Sequence, residues 1–342
     1  METNVQSNIV IAGASHLTKK PQDTPLNVIE LMCEATQKAT EDAGNDAILS
    51  VVDQIIVPQG TWAISNPGGL VAQHLGIQAK SIIYNIGILQ SSLIKRAIED
   101  VSASKSRCTL IVGGEAKNYE RHASESLNPI PTLSDSRKQE STEFIHPSEL
   151  PISRYEIDMG LIGAPDQYAL IENSYAHAHK LTREDHQELI NSEWQEMARI
   201  ADSIPSSWTR DAHDHLTENG WGRTIATPYK LHHVTQWNVN QASAILITTE
   251  DIAETYSNRS DGFIFPHALI ESNAVTPVTE RSQLHHCSGL DQIKTEYERL
   301  TGKQPSESQL HELYSCFPIA VRLQREAFEL GKRPGTITGG MT

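Results

Sequence analysis

The sequence predicts an α/β protein built on a duplicated unit, with a long insertion between the two copies. Three observations carry that reading. Strand-like apolar runs alternate with amphipathic helix patterns at the start of the chain, which predicts βαβ units on a largely parallel sheet. The last third repeats that grammar, one copy ending GILQ-helix-TLIVGG and the other CFP-helix-TITGG. Between them, from Asn118 to Arg223, strand-like runs nearly vanish and Pro, Ser, Glu and His become frequent. The expected division is residues 1–117 for the first half, 118–225 for the inserted segment and 226–342 for the second half.

The elements follow in order. Asn8–Ala12 is a short apolar run before Gly13 and predicts a buried strand. Thr24-Pro25 predicts a helix start, with Pro at the first helical position. Val28, Leu31, Met32, Ala35 and Ala39 share its apolar face, and Gly44 is its stop. Val52–Val57 is the next strand, Gln90–Ala103 the next helix, and Thr109–Val112 a buried strand before Gly113-Gly114. Within the insertion, helices are expected over Ala164–Lys180 and Arg183–Ser203. Ala242–Thr248 and Phe263–Ile270 restore strand texture. A helix carrying Leu290, Ile293, Tyr297 and Leu300 stops at Gly302. Leu310–Cys316 leads into a strand, Ala320–Leu330 is a helix, and Thr336–Thr338 is a strand.

Composition excludes several classes of function. Of the 342 residues 38% are hydrophobic and 21% charged, as in a globular domain protein. A net charge of −15 argues against a nucleic-acid surface, though not against a local basic pocket for a phosphorylated ligand. No apolar run is long enough to span a membrane, and METNVQSNIVIAG lacks the pattern of a secretory signal. Cysteines at 33, 108, 287 and 316, without CxxC spacing, read as reduced thiols in a cytoplasmic protein. The paired histidines, 177/179, 213/215, 232/233 and 285/286, lack the spacing of a metal set and read as solvated or capping residues. Gly113-Gly114-Glu115 is not part of a GxGxxG or a GKS/GKT motif and reads as a tight turn.

Three segments carry a resemblance to a known family. ELYSCFPIAVRLQREAFELG followed by RPGTITGGMT resembles the C-terminal half of thiolases, in the sterol-carrier-protein-type and bacterial thiolase-like branch. Ala226–Asp251 resembles that branch's entry into the second half, and Lys105–Ala116 the strand and Gly-Gly turn after the nucleophile helix. The resemblance implies a duplicated, five-layered αβαβα fold with an inserted loop domain. It implies acyl transfer on coenzyme A thioesters, as in acetyl-CoA acetyltransferases, with acyl-CoA as substrate or ligand and no further cofactor. A homodimer and a zinc-ribbon/OB-fold partner protein are the implied assemblies.

The implied site departs from the family pattern. Thiolases place a nucleophilic cysteine at the start of the helix before the Gly-Gly strand, where the helix N-terminus lowers a thiol pKa. Here that place falls at about Ile88, with Ser91 and Ser92 nearby and no cysteine within ten residues. Without an adjacent base, the serines read as helix caps. Tyr314 stands where the branch has a catalytic histidine, and Cys316 follows in YSCF. The two are the candidate catalytic residues, against the alternative of Cys316 as a buried core thiol. Ile88, Ser91, Gly114, Gly339 and Gly340 are the candidate substrate-binding residues. Lys19, Lys20, Arg121, Lys138 and Lys180 are candidates for the coenzyme A phosphates, against a solvated-surface reading. The chain ends at Thr342, before the family's GHP loop and final helix and strand, so the second half is expected to be truncated. Two functions follow: an acyltransferase whose site is completed by a non-standard residue or a partner subunit, or a non-catalytic acyl-CoA- or lipid-binding module or scaffold.

Overall fold

The computed structural model describes residues 3–4, 8–122, 141–205, 207, 216, 220–235, 237–273 and 275–341. The chain forms two compact units, Met1–Ser148 with Trp237–Glu271, and Glu149–Gln236 with Ser272–Thr342. This grouping cuts the chain differently from the three sequence segments, because residues 237–271 join the first unit.

The first unit is built on one six-stranded mixed sheet. Its strands are β2 (Ile9–Thr18), β3 (Val52–Pro58), β4 (Lys80–Tyr84), β5 (Cys108–Glu115), β6 (Glu143–Ile145) and β9 (Gln241–Thr249), and their order is β2-β9-β5-β3-β4-β6. Strands β5, β3, β4 and β6 run parallel, and β9 runs antiparallel between β2 and β5. Both faces are apolar because both are covered. In β3 the strand period sends Ile55 and Val57 to one core and Ile56 to the other. Helices α1 (Val28–Ala43) and α2 (Pro67–Leu75) cover the first face and α3 (Gln90–Ser102) the second.

Helix α1 starts three residues later than the Thr24-Pro25 signal predicts. Asn27 wins because it makes a full capping box: its Oδ1 accepts from the Ile29 and Glu30 amides, each at 3.0 Å, and Glu30 accepts from its own amide at 2.9 Å. Gly44 ends the helix in the left-handed conformation at φ 79°. Strand β5 continues through the two glycines, with Gly113 opposite Ser243 and Gly114 opposite Ala242. The expected tight turn there is therefore strand. The predicted strand at Phe263–Ile270 shrinks to β10 (Ala268–Leu269), which pairs with β1 (Thr3–Asn4).

The second unit is helical in its described residues apart from a two-stranded ribbon, β7 (Thr224–Ala226) with β8 (Tyr229–Lys230). Helices α5 (Arg154–Asp158), α6 (Ala164–Ala178), α7 (Arg183–Asp202), α9 (Ser288–Thr301) and α10 (Pro318–Ala327) belong to it; α4 (Lys117–His122) and α8 (Glu250–Tyr256) follow β5 and β9 in the first unit. Helices α6 and α7 match the two predicted in the insertion, and α9 stops at Gly302 as expected. The strands expected after Leu310 and over Thr336–Thr338 do not form. Glu312 takes over the backbone donors of the latter: its Oε2 accepts from the Ile337 amide at 2.9 Å and the Thr338 amide at 3.2 Å, and its Oε1 from the Thr336 and Thr338 hydroxyls.

A buried ionic cluster ties α6, α7 and α10 together. The Arg322 guanidinium donates to Glu172 and, through Nε and Nη2, to Glu193 at 3.2 and 2.6 Å. Glu172 is also bonded to His186 and Tyr229, each at 2.8 Å. Burial opposes the charge on Glu172, but the bonds from His186, Arg322 and Tyr229 outweigh it and hold its carboxyl below the usual range. Burial pushes Glu193 up, with Arg322 opposing.

Candidate functional site

The candidate residues fall on both units. In the first, the chain leaves β4, passes Gly87 at φ 100° and enters α3 behind Leu89, which has no side-chain cap bond. Ile88 is half-buried against the apolar core beneath α3, while Ile86 and Leu89 are exposed. A hydrocarbon side chain thus stands where the resemblance places a thiol, and it supplies neither nucleophile nor base.

Ser91 and Ser92 do not cap α3, contrary to the expectation. Their hydroxyls both donate to one oxygen, Oε1 of Glu271, at 2.7 and 2.8 Å. A carboxylate therefore sits against the first turn of α3, where the helix dipole and two hydroxyl donors favour negative charge. Sequence reasoning missed Glu271, which is 180 residues from Ser91 and follows a strand pattern with no motif of its own. Gly114 is packed inside the sheet: a Cβ there would lie 3.0 Å from the Gln241 carbonyl, and its own carbonyl accepts from the Trp62 indole at 3.1 Å.

In the second unit, Cys316 is buried (5% exposed) in a core with Phe317, Ile319 and Tyr229. Tyr168, which the sequence did not single out, stacks on Phe317 at 4.2 Å and meets the Cys316 sulfur, as does Tyr314. Burial pushes the thiol up, and the hydrogen bonds from the two phenols offset only part of that. The Tyr314 hydroxyl is raised as well, by burial and by Cys316, although its ring is 56% exposed. Neither group is tuned for a nucleophile or base near neutrality. Gly339 and Gly340 have left-handed φ values of 92° and 68°, and a Cβ on either would strike Ala201 or Ser315. Both positions are thus fixed by packing inside the unit.

The cationic candidates are dispersed. Lys19 pairs with Glu34 at 2.7 Å and lines an open groove of about 620 Å³ with Asp23 and Lys38, so its lining is of mixed charge. Lys20 donates its amide to Asp23, and Arg121 and Lys180 lie on the surface. Lys138, His213 and His215 lie outside the described residues. Of the other paired histidines, His233 is fully buried: its Nδ1 accepts from the Lys230 amide and Nε2 meets Asn191, each at 3.0 Å. It is a capping residue, as expected, but not a solvated one. Among the described residues no group of three or more His, Cys, Asp or Glu side chains is placed to hold a metal ion, and no helix is long and apolar enough to cross a membrane.

This fold, a mixed six-stranded sheet covered by helices on both faces, matches the thiolase fold of solved structures. The likeness to solved structures is to the SCP2-thiolase-like form of it. The monomeric SCP2-thiolase-like protein type 1 of Mycobacterium smegmatis superposes with a TM-score of 0.73 at 21% identity, over 99% of this chain and 67% of that one. The Ltp2-ChsH2(DUF35) aldolase gives 0.68 at 17% identity, over 97% of this chain and 79% of that one. Acetyl-CoA acetyltransferase from Syntrophomonas wolfei gives 0.62 at 12% identity, over 98% and 88%. No family model and no curated protein matches the sequence.

Proposed function

We propose that this protein binds coenzyme A thioesters on a thiolase fold and does not carry an acyl group on a cysteine at α3. One observation carries the reading: Ile88, where the resemblance puts the nucleophile, is packed against the apolar core, and the hydroxyls that follow it, Ser91 and Ser92, are committed to Glu271. Acyl transfer of the acetyltransferase kind needs an accessible thiolate at that point. Cys316 does not supply it, being buried and raised. The non-catalytic acyl-CoA- or lipid-binding module is thus favoured over the acyltransferase. It would act in the cytoplasm as a homodimer, or with the zinc-ribbon/OB-fold partner that the resemblance implies; one structural neighbour, the Ltp2-ChsH2(DUF35) aldolase, carries a second component in its name.

Calorimetric titration with coenzyme A and acetyl-CoA tests the binding, and an acetoacetyl-CoA thiolysis assay tests the chemistry. We expect measurable binding and no thiolysis above the uncatalysed background. Thiolysis at an ordinary enzyme's rate, abolished by iodoacetamide, would overturn the reading. A second reading rests on the exposed Tyr314 ring beside Cys316, with Tyr168 on the same sulfur. Phenols raised in this way stay protonated and can hydrogen-bond the enolate left by carbon–carbon cleavage of a β-hydroxyacyl thioester, a reaction that needs a base for the β-hydroxyl proton but no acyl-cysteine. Release of an aldehyde or ketone from a β-hydroxyacyl-CoA, lost in Tyr314→Phe, would favour it.

A further inference from the structure

The carboxylate on α3 is the polar contact that the proposed function leaves unexplained. Glu271 lies two residues past β10, at the start of the irregular stretch that follows it, and reaches the helix from a segment remote in sequence. Only Oε1 is engaged by the two serine hydroxyls. The second oxygen makes no bond with any described residue. Apolar side chains surround this end of the helix: Ile86 is 62% exposed, Leu89 45%, and Ile88 half-buried. A permanent structural cap would ordinarily come from the helix's own N-cap position, which Leu89 leaves without a side-chain bond. Here two first-turn hydroxyls, not the backbone amides, are engaged by a carboxylate from elsewhere in the chain.

We propose that Glu271 is an autoinhibitory residue, a built-in anion that competes with the thioester for the first turn of α3. This rests on the reading of that turn as the acyl end of a coenzyme A thioester site. The carbonyl oxygen of a thioester carries partial negative charge and seeks the same donors, the Ser91 and Ser92 hydroxyls and the positive end of the helix. Both cannot use them together, because a carboxylate and a carbonyl oxygen at one place repel. Binding therefore requires Glu271 to swing out, carrying residues near 271 with it. The affinity seen is the intrinsic affinity reduced by the fraction of molecules in which Glu271 is released.

The test is titration of the full chain with acetyl-CoA, comparing wild type with Glu271→Ala and Glu271→Gln. Thermal unfolding checks that each variant is folded, and the glutamine variant, which keeps the shape, serves if the alanine one is not. Removing the competing charge should tighten acetyl-CoA binding at least tenfold in the alanine variant and by a smaller factor in the glutamine variant. Hydrogen exchange over residues 266–273 should rise in both variants, and in wild type only when acetyl-CoA is bound. Wild-type binding that the variants leave unchanged or weaken would overturn the autoinhibitory role while leaving the thioester reading standing. If neither wild type nor variant binds acetyl-CoA, the thioester reading fails and this inference falls with it.

Discussion

His233 is a buried imidazole that must stay neutral. Burial, with the Lys230 charge adding to it, lowers its pKa to about 3 from 6.5. The unfolded chain therefore takes up the proton first as pH falls. The stabilisation from His233 is complete above pH 6.5 and is lost as pH drops from there toward 3, at about 1.4 kcal/mol per pH unit. Glu193 works in the opposite sense, since a raised carboxyl loses its contribution as pH rises. The informative measurement is a comparison. Urea unfolding of His233→Gln should be less stable than wild type at pH 7.5 and should show a shallower loss between pH 6.5 and 4.5. Parallel pH curves would mean that the imidazole is not held neutral in the fold.

Among the elements, α10 depends most on charge. Its Arg322 is buried and faces two buried carboxylates from α6 and α7. Removing a cation from such a group leaves uncompensated charge in a poorly solvated place, a change that costs about 3–5 kcal/mol. Arg322→Ala should lose that much in denaturant unfolding. Glu193→Gln combined with the same Arg322→Ala should recover part of it by removing one of the stranded charges. Equal instability of the single and double variants would show that volume, not charge, dominates there.

The elements also show where the sequence was readable. Strands β3, β5 and β9 and helices α3, α6, α7 and α9 were legible because their apolar periodicity runs long enough to be unambiguous. Helix α2 and strand β4 were not foreseen: α2 opens Pro-Gly-Gly, a weak helix signal, and β4 has a single short apolar run, Ile82-Ile83. The segments after Leu310 and at Thr336–Thr338 read as strands, yet Glu312 of the first closes a turn on the Thr336 and Thr338 hydroxyls of the second. The lack of a thiol near Ile88 could be read by counting along the chain. Glu271, Tyr168 and Arg322 could not, because their roles come from partners far away in sequence.

At the scale of the whole molecule, connectivity matters as much as composition. Strand β9 lies between β2 and β5, and the segment 149–236 that precedes it belongs to the other unit. During synthesis the ribosome must produce all of that segment before the first sheet can be completed. Until then β2 and β5 each present a row of unsatisfied amides and carbonyls, and such edges invite pairing with other chains. A fragment ending at Ser148 should therefore be insoluble when expressed alone, whereas a version with residues 237–271 joined to Ser148 by a short flexible linker should fold. Soluble, folded 1–148 on its own would refute this. The nascent chain is exposed for as long as the intervening residues take to be made, so slowing translation across residues 149–236 should lengthen dependence on chaperones and lower the soluble yield without changing a single amino acid.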